Sequence, residues 1–212
     1  MKNLVYKELT FSIHKFFYVL PLLLSLLMFI PNWIFSFVYM YFFWISVPQI
    51  IVAYTAQRDY TMLSMLPVSK KDIVSSKVFA FILVEMIHVL LLLIFGLIHN
   101  EVYGTYNFFM EINPAFFGIA FASLGIFNII FFPQYFKTAY KFGKPLIAGV
   151  IATLLFAGFF EYSAIGIASI SNILKSTDNL VQLSILALGI IVFAILNVVS
   201  LKNSVRNFEN IK

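Results

Sequence analysis

The chain has 212 residues, 62% hydrophobic and only 11% charged, with a formal net charge of +5. A mean hydropathy of +0.97 excludes a soluble globular domain, and repeated apolar runs of about 18 or more residues specify an all-α polytopic membrane protein. The basic residues are spread along the chain, which reads as membrane topology and excludes nucleic acid as a partner; the absence of cysteine removes disulfides, thiolate metal sites and cysteine nucleophiles.

Residues 1–15 set Asn3, Lys7, Thr10 and His14 on one helical face, with Val5, Leu9, Ile13 and Phe16 opposite. That pattern predicts an amphipathic helix on the inner membrane surface. The first span is expected over Phe16–Ile30, bent at Pro21. It is no cleavable signal, because Phe29-Ile30-Pro31-Asn32-Trp33 offers no small-residue cleavage site. Pro31-Asn32 makes an outer turn, and span 2 follows over Ile34–Tyr54 with Pro48 inside it.

A polar loop occupies 56–77, and span 3 is expected over Val78–Ile98. His99 to Asn113 is an outer loop with Glu101 and Glu111 but no Lys or Arg. Span 4 covers Pro114–Phe132, and Pro133 to Pro145 is an inner loop with Lys137, Lys141 and Lys144. From Leu146 the apolar stretch runs to Ile170, longer than a span needs, so span 5 is followed by a short outer or re-entrant helix. Ser171 to Gln182 is an outer loop, Leu183–Leu201 is span 6, and 202–212 is an inner tail. With these assignments Lys175 is the single Lys or Arg of the 14 that falls outside. This asymmetry sets six transmembrane helices in one transmembrane domain, with both termini cytoplasmic.

The loop from Arg58 to Lys77 is patterned like structure. Pro67 stops what precedes it, and Ser69 with Asp72 three residues on predicts a helix N-cap and a first-turn carboxylate. The run Leu66-Pro67-Val68-Ser69-Lys70-Lys71-Asp72-Ile73-Val74, followed by Lys77 and placed between spans 2 and 3, resembles the permease subunits of ABC-2 type transporters. Many of those carry Glu and Gly before the Thr, where this chain has Asp59-Tyr60-Thr61. The resemblance implies an exporter subunit whose loop docks on a separate ABC ATPase subunit. Tyr60, Met62, Leu63, Met65 and Leu66 would then make the apolar contact, and Arg58, Asp59, Lys70 and Lys71 would orient it. It further implies a second permease subunit, ATP-Mg on the partner chain, no cofactor on this one, and a bacterial cytoplasmic membrane. Compact relatives that export amphipathic peptides, phenol-soluble modulins among them, suggest an amphipathic substrate.

The residues themselves carry little catalytic chemistry. The one Gly-Lys pair, Gly143-Lys144, precedes Pro145, so no phosphate-binding loop is present. His14, His88 and His99 lie at unrelated depths, so no metal site is expected. Glu85, with His88 at i+3, and Glu161 are the ionisable residues within apolar runs. An unpaired carboxylate there costs about 2.5–3.5 kcal/mol, so each must face protein or water. Glu85 either lines the transport path or forms a local pair with His88 or a Lys; Glu161 is expected in a short outer helix at the interface. These three would have to carry the alternative of a membrane-embedded enzyme; a non-transport regulatory protein is the other alternative, and it would tolerate rewriting of 58–77. Trp33, Tyr54, Tyr60, Tyr103, Tyr106, Tyr135 and Tyr140 sit near span ends as an aromatic belt, and the 26 Phe are expected to face lipid. Gly118, Ala122 and Gly125 in span 4, and Ala148 and Ala152 in span 5, are small-residue faces for close packing.

Overall fold

The computed structural model of the chain describes residues 2–12, 18–56 and 67–210. In chain order, α1 (Lys2–Lys7) runs into a π-helical turn at Glu8–Ser12, and α2 (Val19–Ser25) ends in a 3₁₀ turn at Leu26–Phe29. Next, α3 (Ser36–Tyr41) passes through a π-helical turn at Phe42–Ser46 into α4 (Val47–Ala56). Then follow α5 (Lys70–Tyr103), α6 (Pro114–Lys137), α7 (Gly143–Gly166), α8 (Ala168–Leu174) and α9 (Asn179–Glu209).

Among the described residues five helical stretches are long and apolar enough to cross a membrane: Ser36–Tyr54, Lys70–Tyr103, Pro114–Lys137, Gly143–Gly166 and Asn179–Glu209. The first expected span is represented there by a shorter apolar helix, Val19–Phe29. The π turn at Phe42–Ser46 sits just before Pro48. Proline lacks an N–H and its ring crowds the carbonyl four residues back, so the helix widens there instead of breaking.

Several helices outrun the apolar segments that predicted them. The 34 residues of α5 span about 50 Å at the α-helical rise. That exceeds a hydrocarbon core of about 30 Å, so the helix projects past it. Its start is set by Ser69, whose Oγ accepts from the Asp72 N–H at 3.0 Å, as the Ser-x-x-Asp spacing predicts. Its end is set by Gly104 at φ 83°, a left-handed conformation that suits glycine. The expected loop from Pro133 is corrected: α6 continues through Pro133 to Lys137. The expected tail likewise continues α9 to Glu209. Polar residues at a helix end leave water to satisfy the backbone, so apolar length underestimates helical length.

α6 is the central element, buried on nearly every side. Its tightest neighbour is α9. A Cβ built at Gly118 would lie 2.5 Å from the Ile185 carbonyl oxygen, and one at Gly125 would lie 3.1 Å from Phe193 Cα. The α6 face read from the sequence is therefore the packing face. On α7 the small-residue face is different: Pro145, Gly149, Thr153 and Ala157 are buried, whereas Ala148 and Ala152 are only half-buried. Gly149 is the contact point, because a Cβ there would meet the Phe127 ring at 2.9 Å.

The aromatic expectation is corrected in part: Tyr103, Tyr106, Phe79, Phe108 and Phe159 are exposed, but many other rings are not. Phe35, Phe42, Phe43, Phe81, Phe116 and Phe127 are fully buried, as is Tyr135, and Tyr54 is nearly so. Phe43 stacks on Phe127 at 4.1 Å between centroids, and Phe127 continues through Phe131 to Tyr135. Aromatic rings fill the centre of the bundle, where their area and quadrupoles hold neighbouring helices in register.

Candidate functional site

Polar side chains gather at three levels of the bundle. At one end, the described parts of both termini meet the start of α5. Lys70 Nζ donates to the Glu209 carbonyl at 3.2 Å. Lys77 Nζ lies 3.4 Å from each carboxylate oxygen of Glu8 and 3.6 Å from the centroid of the Tyr54 ring. Glu8 and Lys77 are almost wholly shielded from solvent. The Ser69 and Asp72 side chains are joined by a second bond, from Ser69 Oγ to Asp72 Oδ2 at 2.8 Å. Lys71 and Pro67 are exposed beside them. Arg58, Asp59, Tyr60, Met62, Leu63, Met65 and Leu66 lie outside the described residues.

At mid-height, Glu85 on α5 faces α6 and α9. Asn128 Nδ2 donates to Glu85 Oε2 at 2.9 Å and to Asn197 Oδ1 at 3.0 Å. Asn197 Nδ2 in turn donates to the Phe193 carbonyl, and Ser200 Oγ donates to the Asn128 carbonyl at 2.6 Å. Three helices are thus joined by a chain of buried hydrogen bonds. The expected local pair with His88 does not form. His88 Nε2 instead lies 3.2 Å from the Val38 carbonyl, and its ring stacks on Phe42. An i+3 spacing puts two side chains on one broad face, but each reaches toward the nearest helix with a complementary group. Asn128, Asn197 and Ser200 were not singled out in the sequence. Each is a polar residue inside an apolar run, and that was the signal available.

At the opposite end, Glu161 is corrected from an outer-helix residue to a buried residue of α7. Its Oε2 accepts from the Met110 N–H at 3.1 Å, and Ser36 lies beside the same carboxyl. A short helix does follow the span, but it is α8, which begins after Gly166. Lys175 at its end donates to the carbonyls of Asn107 and Phe108, and Asn107 Nδ2 donates to the Trp33 carbonyl. Asn113 Nδ2 and Gln182 Nε2 both donate to the Leu174 carbonyl. This end is a polar latch made from three connections between helices.

Chemically, these arrangements hold helices together more than they prepare a reaction. Glu85, His88 and Glu161 bond to different elements and do not converge on one reacting point. Among the described residues no group of three His, Asp or Glu side chains could hold a metal ion. A groove of about 600 Å³ lies between α5, α6 and α9, lined by apolar side chains such as Met86, Leu93, Phe117, Phe121 and Leu186.

No curated protein and no solved structure matches the chain. A family model described as ABC-2 family transporter protein matches residues 3–209. The chain, a multi-pass membrane component without ATPase activity of its own, therefore belongs to the ABC-2 transporter family.

Proposed function

We propose that this chain is the permease subunit of an ATP-driven exporter in the bacterial cytoplasmic membrane. In this reading Phe16–Ile30 completes a set of six spans, and both termini are cytoplasmic. Two permease subunits, of the same or different chains, work with two ATPase subunits that carry ATP-Mg. The 58–72 segment docks on the ATPase: Tyr60, Met62, Leu63, Met65 and Leu66 bury their side chains in it. Arg58, Asp59, Lys70 and Lys71 set the orientation, while Pro67, Ser69 and Asp72 fix where α5 begins.

The observation that carries this reading, besides the family, is the unbroken run of α5 from Lys70 to Tyr103. A push on the loop reaches the other end of the bundle through one rigid element, and the spans move as bodies around it. Glu85 lies on that element and links it to α6 and, through Asn128, to α9. The cargo is an amphipathic molecule, with peptides as the class we favour. The groove beside α5 supports this: it is uncharged and mostly apolar, with Asn100, Thr105 and Asn113 its polar lining side chains, so an ion or a sugar would find little there to replace its water.

The test is co-purification of the chain from gently solubilised membranes, as wild type and as Leu63→Asp with Leu66→Asp, followed by an ATPase assay. The wild type brings down an ATP-hydrolysing partner and the variant loses it while still inserting. Equal capture by both proteins refutes the docking assignment, and no ATPase with either refutes the permease reading.

A further inference from the structure

The buried cluster around Lys77 is not explained by insertion or by helix packing alone. Lys77 lies in the third turn of α5, ten residues or fewer from the loop, and its ammonium is held between Glu8 on the N-terminal element and the ring of Tyr54 on α4. Tyr54 lies near the end of α4, and Lys70 begins α5. The Tyr140 ring, on the connection between α6 and α7, lies 5.7 Å from the same ammonium. Four separate parts of the chain therefore meet at one cation.

The cost of this arrangement points to a use. Removing a carboxylate and an ammonium from water is expensive, and apolar side chains of similar volume commonly replace such a pair with no loss of stability. A buried pair adds direction: the carboxylate and the π face of the ring fix where the ammonium sits. Glu8 also has Lys7 Nζ at 3.1 Å, so its second neighbour is a cation as well.

We propose that Glu8 and Lys77 are positioning residues that lock the N-terminal element to the end of α4 and the start of α5, so that this element moves with α5 when the ATPase closes. The inference rests on the permease reading above. Lys77 sets the geometry on the membrane side of the loop, and Glu8 carries the displacement to α1. An interfacial helix held only by its apolar face would stay with the lipid when the loop moved.

The test uses the full chain with its co-purified ATPase in lipid nanodiscs. The chain has no native cysteine, and Tyr6 is 65% exposed, so Tyr6→Cys takes an environment-sensitive fluorophore cleanly. The emission shift is read between the nucleotide-free and ATP-trapped states. We expect a shift in the wild-type background, its loss in Glu8→Lys, and its return in Glu8→Lys with Lys77→Glu, where the pair is reversed. ATPase capture is the same in all three. Should Glu8→Lys fail to fold, Glu8→Gln takes its place and diminishes the shift. A shift that persists in Glu8→Lys or Glu8→Gln, or that does not return in the reversed pair, overturns the inference and leaves the permease reading intact. Failure to capture any ATPase with the unsubstituted chain overturns both.

Discussion

Gly189 faces Gly118 where α9 crosses α6, and the crossing leaves no room for a methyl group. A Cβ built at Gly189 would overlap the Gly118 carbonyl oxygen and lie 2.6 Å from Gly118 Cα. Carbon atoms rest at about 3.5–4.0 Å, so Gly189→Ala must part the helices by roughly 1 Å. The obstacle is backbone, so no rotamer change relieves it. A gap of that size forfeits about a quarter to a half of each dispersion contact along the seam. Overpacking costs about 1–3 kcal/mol in general, and we expect the upper end here. For a chain of this length that corresponds to a fall in Tm of about 6–12 °C. The assay is thermal unfolding in mild detergent, followed by the recovery of monodisperse protein. Gly158→Ala is the control, because a Cβ there meets nothing within 4 Å. Gly118→Ala opens the same crossing, so its effect combined with Gly189→Ala falls short of additive. If Gly189→Ala melts with the wild type and with Gly158→Ala, the close crossing of α6 and α9 is refuted.

Two further outcomes follow from the polar levels. Asn128→Leu removes the donor shared by Glu85 and Asn197, and stranding these groups costs about 1–3 kcal/mol each; adding Glu85→Gln recovers part of that loss in a double-mutant cycle on Tm, and strictly additive effects would deny the bond. At the end of the bundle that holds Lys175, partial burial pushes the Glu111 carboxyl above its ordinary value of 4.5, against the pull of Lys175. A raised value means the folded chain binds the proton more tightly, so this contribution is fully present below the ordinary carboxylate range and is lost as pH rises through the raised value. Glu111→Gln flattens that dependence in Tm measured across the acidic range, and an unchanged slope would remove Glu111 as its source.

Much of the architecture was legible from local signals. Ser69 and Asp72 marked the start of α5 because a cap needs only three residues of spacing. The Gly118 and Gly125 face of α6 was legible because small residues are the feature that lets two backbones approach within a membrane. The amphipathic pattern of residues 1–15 gave no role to Glu8, whose partner lies 69 residues away.

The sequence by itself determined the class of the protein and the position of most apolar helices. Those properties follow from transfer of side chains between water and hydrocarbon, which depends on one residue and its near neighbours. Only the tertiary structure decided that Glu85 pairs with Asn128 and not with His88, that Glu161 lies on a long helix, that Gly149 and not Ala148 is the contact point of α7, and which phenylalanines lie inside the bundle. The physical reason is that lipid and protein interior are equally apolar. A helix that is hydrophobic all round carries no record of which face meets lipid and which meets protein, so its rotation is settled by packing and by scattered polar groups finding one another across the bundle.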